Sequence, residues 1–129
     1  MRGFMENFSQ ISAMALAYLG DAVIEIKVRE LLILRGYEKS AKLNSEARKF
    51  VTAIEQNKAY LKIADVLSEE EADIFKRGKN SSHLNIPKSA SPLEYKNATG
   101  FEAIFGYLHL KRDEARINEL FSLAYSDIK

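Results

Sequence analysis

Apolar residues recur at steps of three and four along nearly the whole chain, and this spacing is the strongest constraint on its fold. The apolar positions noted in the first long segment, residues 11–34, are Ile11, Ala15, Leu19, Ala22 and Ile26. No run of β-branched residues alternates with polar ones, and no Asn-Gly or Asp-Gly pair offers a hairpin turn. The sequence therefore predicts an all-α fold of about six helices.

Capping signals predict where these helices begin and end. Ser68 and Ser91 each stand three residues before a glutamate, which is the spacing of a capping box, and Pro92 occupies a first helical position. Asp113 can cap the last helix, and Gly36 is a plausible stop for the first. The predicted helices cover residues 11–34, 40–66 with a break near 51–52, 68–78 and 92–111, and then a segment after Asp113.

Small residues crowd the N-terminal half of the first predicted helix, and they would let another helix backbone approach closely. They are Ala13, Ala15, Ala17, Gly20 and Ala22. This face is the only support, apart from any resemblance, for dimerisation. It also leaves open a helical protein-interaction module with no other role.

The composition sets wide limits. With 129 residues the chain can bury its own core, so we expect residues 1–129 to form a single domain. The absence of cysteine excludes disulfides and thiolate metal sites, and it fits a reducing compartment. No apolar stretch of signal-peptide length opens the sequence, and no uncharged run is long enough to span a bilayer. We therefore expect a cytoplasmic protein with no membrane association.

Positive charge is concentrated in one segment. The net charge of the chain is only +1, but residues 76–96 hold five basic residues and one glutamate, for a local net charge of +4. The basic residues are Lys76, Arg77, Lys79, Lys88 and Lys96. Such a segment could bind phosphates, and a solvated surface loop over residues 79–91 is the alternative interpretation.

Two carboxylates interrupt otherwise apolar helical stretches. Asp21 and Glu102 are each surrounded in sequence by small and apolar residues, so each must be exposed, hydrogen-bonded or bound to a cation. Glu25 follows Asp21 by about one helical turn and could join it. If the two acids faced each other, their oxygens would suit Mg²⁺ or Mn²⁺ and the hydrolysis of a phosphodiester. Taken singly, an acid in such a stretch is more often an exposed or hydrogen-bonded structural residue than a metal ligand.

Both acidic segments resemble motifs of the ribonuclease III family. The segment Leu19-Gly20-Asp21-Ala22-Val23-Ile24-Glu25 resembles the signature of that family. The segment Gly100-Phe101-Glu102-Ala103-Ile104-Phe105-Gly106-Tyr107-Leu108-His109-Leu110 resembles its second acidic motif. From about residue 11 to 125 the order of motifs is most similar to the short (mini) subfamily, whose members lack a separate domain for binding double-stranded RNA.

The resemblance implies an all-α, dimeric endonuclease domain that cuts double-stranded RNA, with ribosomal RNA precursor as the expected substrate and Mg²⁺ or Mn²⁺ as cofactor. By matching position, Asp21 and Glu102 would be the catalytic and metal-binding residues. Glu25 and Thr99 would orient the waters of the metal. With no separate RNA-binding domain expected, the basic segment would grip RNA. The candidate RNA-binding residues are Lys76, Arg77, Lys79, Asn80, Lys88 and Lys96.

One departure from the broader family leaves a second hypothesis open. Full-length members carry further acids at the positions of Ala17 and Thr99, so a site of four carboxylates is not possible here. The short subfamily shares this reduction, which suggests fewer protein ligands and more metal-bound water. A non-catalytic RNA-binding dimer on the same fold is the alternative. For Tyr18, Phe101 and Tyr107 we expect core or dimer packing rather than base stacking.

Overall fold

The computed structural model describes residues 8–81 and 90–128, and in these ranges it contains six α-helices, two short 3₁₀ segments and no strand. The helices are α1 (Ala13–Leu34), α2 (Ser40–Val51), α3 (Ala53–Ile63), α4 (Glu69–Ser81), α5 (Pro92–Leu110) and α6 (Glu114–Ala124). The 3₁₀ segments are Phe8–Gln10 and Ala64–Val66. The predicted all-α fold is confirmed.

Helix ends follow the capping signals. At the start of α4, the Ser68 amide donates to Oε1 of Glu71 at 2.8 Å and the Glu71 amide donates to Oγ of Ser68 at 3.1 Å. Ser91 and its glutamate partner form the same capping box at the start of α5. The predicted break near residues 51–52 occurs at Thr52, whose hydroxyl caps α3 by accepting from the amide of Glu55.

The predicted end of one helix was wrong, and the sequence did not indicate which side of α1 is buried. Helix α4 continues past Gly78 to Ser81, so Lys79 and Asn80 are helical rather than part of a loop. On α1, the stripe that includes Ala15, Ala22 and Ile26 is exposed. The buried residues of α1 are instead Ala13, Leu16, Ala17, Gly20, Val23, Ile24, Val28 and Leu32. Helix α1 is apolar on most of its circumference, so the spacing of apolar residues could not tell which side faces the core.

Helix α5 lies at the centre of the fold and packs against α1, α3, α4 and α6. Phe101 and Tyr107 are buried in it, as expected, whereas Tyr18 on α1 is 85% exposed and is not part of the core. Helix α6 closes the bundle. The Tyr125 hydroxyl just after it donates to the carbonyl oxygen of Phe50 at 2.7 Å, which anchors the corner between α2 and α3.

A partly buried ion pair joins α4 to α6. The Arg116 guanidinium donates to both carboxylate oxygens of Glu71, at 2.8 and 2.7 Å, and to the carbonyl oxygen of Val66 at 2.7 Å. Burial favours the neutral form of Glu71, but the hydrogen bonds from Arg116 and Ser68 outweigh it and lower the pKa of this carboxyl. The capping box and the ion pair therefore share one carboxylate.

Among the residues that the structure describes, none of the helices combines the length and the apolar character that crossing a membrane requires.

Candidate active site at the crossing of α1 and α5

Helices α1 and α5 cross with their backbones in direct contact at two glycines. A Cβ added to Gly20 would lie 1.7 Å from the carbonyl oxygen of Glu102, and one added to Gly106 would lie 1.9 Å from that of Leu16. Each glycine thus faces the carbonyl four residues before the other glycine. The predicted close approach of another helix to the small-residue face is present, but that helix is α5 of the same chain and not a partner protein. It therefore gives no support to the interaction-module hypothesis.

This crossing brings the two predicted carboxylates together. Asp21 directly follows Gly20 on α1, and Glu102 contributes the carbonyl oxygen against which Gly20 packs. The carboxyl groups of Asp21 and Glu102 share a hydrogen bond. Asp21 is exposed and Glu102 is only partly exposed, so the pair lies where the contact between α1 and α5 reaches the protein surface. The two acids therefore meet the condition set for a shared cation site, and their catalytic role stays a prediction.

The environment of Glu102 favours its protonated form. The pKa of Glu102 is raised to about 8, mainly by burial and next by the negative charge of Asp21 and the hydrogen bond with Asp21. A hydrogen bond from Gln56 opposes this shift. Two carboxyl groups this close cannot both ionise cheaply without a cation. In the metal-free protein, near neutral pH, the pair therefore holds one proton between its two members.

This raised pKa predicts a particular pH dependence of stability. A carboxyl whose pKa is about 8 in the folded state and 4.5 ordinarily stabilises the metal-free fold at acidic pH and loses that contribution as the pH rises through 8. Between about pH 5 and pH 9 we expect the melting temperature of the wild type in chelator to decline relative to that of Glu102→Gln. Scanning fluorimetry measures both, and parallel curves would contradict the assignment. Carboxyls with a lowered pKa, such as Glu71, titrate below this window.

Gln56 is a site residue that the sequence analysis missed. Its side chain is buried at 2% exposure on α3, and its Nε2 donates to Oε2 of Glu102 at 3.5 Å. The other buried residues of α3 are Ala59 and Ile63, so Gln56 occupies a core position of that helix. A polar residue in register with two apolar core residues was the available signal.

The candidates for orienting metal-bound water have other contacts in the structure. Glu25 accepts a hydrogen bond from Nε of Arg29 at 3.2 Å, and both residues line a groove between α1 and α2. Thr99 is buried, and its hydroxyl donates to the carbonyl oxygen of Tyr95 at 3.1 Å. Ala17 and Thr99 are both buried and neither is an acid, so neither position adds a carboxylate to the pair. The roles of Glu25 and Thr99 remain predictions.

The donor set fits a hard divalent cation that keeps most of its water. Within residues 8–81 and 90–128, no group of three or more acidic or histidine side chains is placed to hold a metal ion. The pair Asp21 and Glu102 offers two carboxyl groups in contact with each other. Mg²⁺ is commonly held by one or two carboxylates together with water and substrate phosphate. A cation here would also replace the proton that the crowded pair retains.

The described basic candidates lie on two neighbouring helices. Gly78 of α4 packs against Gly100 of α5, two residues from Glu102, so the basic end of α4 lies beside the helix that carries this acid. Lys76 and Asn80 are exposed on α4, whereas Lys79 on α4 and Lys96 on α5 are partly buried. The Arg77 guanidinium donates to the carbonyl oxygen of Ile11 at 2.9 Å, which ties α4 to the segment before α1. Lys88 lies outside the described residues.

Comparison with known proteins shows likeness over most of the chain. Residues 14–113 match the family described as Ribonuclease III domain. A protein of Symbiobacterium thermophilum named Mini-ribonuclease 3 is 41% identical over 120 residues, which cover 93% of this chain and 92% of that protein. A Streptococcus pneumoniae protein of the same name is 40% identical over 120 residues, covering 92% and 94%. A crystal structure of a Fusobacterium nucleatum protein matches with a TM-score of 0.84 at 34% identity, covering 93% and 96%.

Proposed function

This chain belongs to the ribonuclease III family and is an endoribonuclease, and on that basis we propose that it cleaves double-stranded RNA with Mg²⁺, or with Mn²⁺ in its place. We propose Asp21 and Glu102 as both the catalytic and the metal-binding residues. The observation that carries this assignment is the direct contact of the two carboxyl groups where α1 and α5 cross. Each acid also lies in a segment that resembles a motif of the family.

The chemistry follows from what each part of the site can do. A bound Mg²⁺ supplies an acidified water and neutralises charge on the phosphate that is attacked. Asp21 and Glu102 would hold the ion, and Glu25 and Thr99 are proposed to orient its waters. The backbone contact at Gly20 sets the spacing of the two carboxylates, so the side chains need little reorganisation. Asp21 lies on the open side of the pair, where a phosphodiester can reach it.

The proposed RNA-binding surface extends from the carboxylate pair along α4 and α5. Its described members are Lys76, Arg77, Lys79, Asn80 and Lys96, and we include Lys88 in it as well. Lysine and arginine neutralise phosphates whatever the base sequence, and A-form duplexes are recognised mostly by shape, phosphates and 2′-hydroxyls. The proximity of α4 to Glu102, through Gly78 and Gly100, supports this placement.

We also propose a homodimer formed through the outer side of α1. Met14, Tyr18 and Ile26 are large apolar residues that are 50%, 85% and 57% exposed, and they follow one another at multiples of four residues. Burying such a stripe against a second copy would remove apolar surface from water. Asp21 lies one turn from Tyr18, so the dimer would place two carboxylate pairs close to one interface. Two such centres would cut both strands of one duplex.

Tyr18→Asp is expected to convert the dimer to a monomer. A carboxylate in the centre of an apolar interface would be desolvated without a partner, and loss of a central tyrosine contact commonly weakens binding at least 30-fold, about 2 kcal/mol. The fold should persist because Tyr18 is 85% exposed. Light scattering coupled to size exclusion measures the mass. Leu34→Asp is the matched control, because Leu34 is 84% exposed but lies about four turns further along α1. An unchanged dimer in Tyr18→Asp would refute this interface.

The remaining parts of the proposal concern substrate and setting. We propose ribosomal RNA precursor as the duplex-containing substrate and the cytoplasm as the location, which agrees with a chain that has no cysteine. We also propose that residues 1–129 act as one nuclease domain. The hydrophobic core supports this, since it draws residues from all six helices.

A direct cleavage assay tests the proposed function. Purified protein is incubated with a long RNA duplex, with Mg²⁺ or with chelator, beside single-stranded RNA of the same sequence. Cleavage of the duplex only when Mg²⁺ is present is the expected result. Salt-sensitive duplex binding without any cleavage would instead support the non-catalytic RNA-binding dimer.

A further inference from the structure

Gln56 has a buried side-chain amide that is hydrogen-bonded to Glu102. Among the described residues, no other buried amide side chain forms a hydrogen bond with Asp21 or Glu102. Its Nε2 lies 3.5 Å from Oε2 of Glu102. An amide nitrogen can only donate, so the orientation of the Gln56 amide is fixed by the carboxyl that it contacts. The distance is at the long end of the hydrogen-bond range, which is common at catalytic contacts before substrate is bound.

The position of Gln56 is set independently of Glu102. Helix α3 begins at a capped break, with Thr52 as its cap, and the Tyr125 hydroxyl holds the carbonyl oxygen of Phe50 just before that break. A second polar contact joins α3 to α5 next to Gln56, since Nδ2 of Asn97 donates to Oδ1 of Asn57 at 2.8 Å. The Gln56 amide is therefore presented by a helix that is fixed at both its start and its flank.

We propose that Gln56 is a positioning residue of the nuclease site, which holds Oε2 of Glu102 so that this carboxylate and that of Asp21 can bind one divalent cation together. The inference rests on the proposed metal-dependent cleavage. Asp21 contacts Glu102 from α1, and Gln56 contacts it from α3, so the carboxyl is held between two helices. A donor on one oxygen leaves the remaining lone pairs for the cation, as partners beyond the direct ligands do at other metal sites.

The test compares two variants that lose this donor in different ways. Gln56→Met keeps the size of the side chain and removes the amide, and Gln56→Asn keeps the amide but shortens its reach. Mn²⁺ binding is measured by electron paramagnetic resonance on the RNA-free protein, and cleavage of an RNA duplex is measured separately. Both variants should weaken Mn²⁺ binding, cleavage or both by about 10- to 100-fold while duplex binding stays within twofold. The control is Asn57→Leu, which removes the neighbouring contact between α3 and α5 but leaves Gln56 in place.

Each outcome decides the proposal. Wild-type Mn²⁺ binding and cleavage in Gln56→Met or Gln56→Asn would overturn it, and so would an equal loss in Asn57→Leu at the same melting temperature, which would show a merely structural role. Mn²⁺ binding that Glu102→Gln does not weaken would overturn it too. If the wild type fails to cleave any duplex, the proposed function fails, but the Mn²⁺ titrations still decide whether Gln56 positions Glu102.

Discussion

Glu102→Gln should reduce Mg²⁺-dependent cleavage of duplex RNA by about 1,000-fold or more, because the loss of several kcal/mol of transition-state stabilisation corresponds to a factor of this size. Glutamine matches the shape of glutamate but lacks the charge that balances a divalent cation. Glutamine also does not titrate, whereas burial and the neighbouring Asp21 raise the pKa of Glu102 to about 8. Single-turnover cleavage of a labelled duplex measures the effect directly.

The controls separate chemistry from folding and from binding. Glu102→Gln should bind duplex RNA at least as tightly as the wild type, since the change removes a negative charge near the phosphates. Its melting temperature should not fall, because the neutral form is the one that the metal-free fold prefers. Glu30→Gln removes an exposed carboxylate from α1 and should cleave at the wild-type rate. Retained cleavage in Glu102→Gln would remove Glu102 from the catalytic assignment.

Gly20→Ala should destabilise the fold by about 3 kcal/mol or more and abolish cleavage. The new Cβ would lie 1.7 Å from the carbonyl oxygen of Glu102 and 2.9 Å from the backbone nitrogen of Gly106, so α1 and α5 must separate. The atoms nearest to the added Cβ are backbone atoms, so a change of side-chain rotamer cannot relieve the clash. Because Asp21 follows Gly20 and the clashing oxygen belongs to Glu102, the separation also moves the two carboxylates apart.

Urea unfolding measures the stability loss, and Gly36→Ala is the matched control. Gly36 has no heavy atom within 4 Å of an added Cβ but has a φ of +98°, so its substitution tests backbone strain without a clash. We expect Gly36→Ala to cost about 1 kcal/mol and to leave cleavage intact. If the free energy of unfolding of Gly20→Ala lay within about 1 kcal/mol of the wild-type value, α1 and α5 could separate at little cost in stability, which would contradict this prediction.

The helix ends could be predicted from sequence because their causes are local. A capping box involves four consecutive residues, and the boxes at Ser68 and Ser91 form as their spacing indicated. The side chain of Asp113 likewise accepts from the amide of Arg116 at 3.2 Å and caps α6. The break at Thr52 follows the same logic, since a threonine hydroxyl can start a new helix within an apolar run.

The choice of buried face and the full site could not be predicted in this way. Helix α1 is apolar on several sides, and only the contact of Gly20 with α5 determines that Leu16 faces inward while Tyr18 faces outward. The pairing of Asp21 with Glu102 was expected from family resemblance and not from spacing. Gln56 was missed because its contact is with a residue of another helix; its register with Ala59 and Ile63 indicates burial but not that contact.

The site draws its residues from α1, α3 and α5, and this has a consequence for how the enzyme acquires activity during folding. Asp21, Gln56 and Glu102 are far apart in sequence, so they meet only after long chain segments have closed on one another. A partly folded chain that lacks the docked α5 has neither the carboxylate pair nor its supporting amide. With Asp21 and Glu102 as the proposed catalytic pair, we expect hydrolytic activity to arise only once α1, α3 and α5 have docked, so incompletely folded molecules should not cleave RNA through this site.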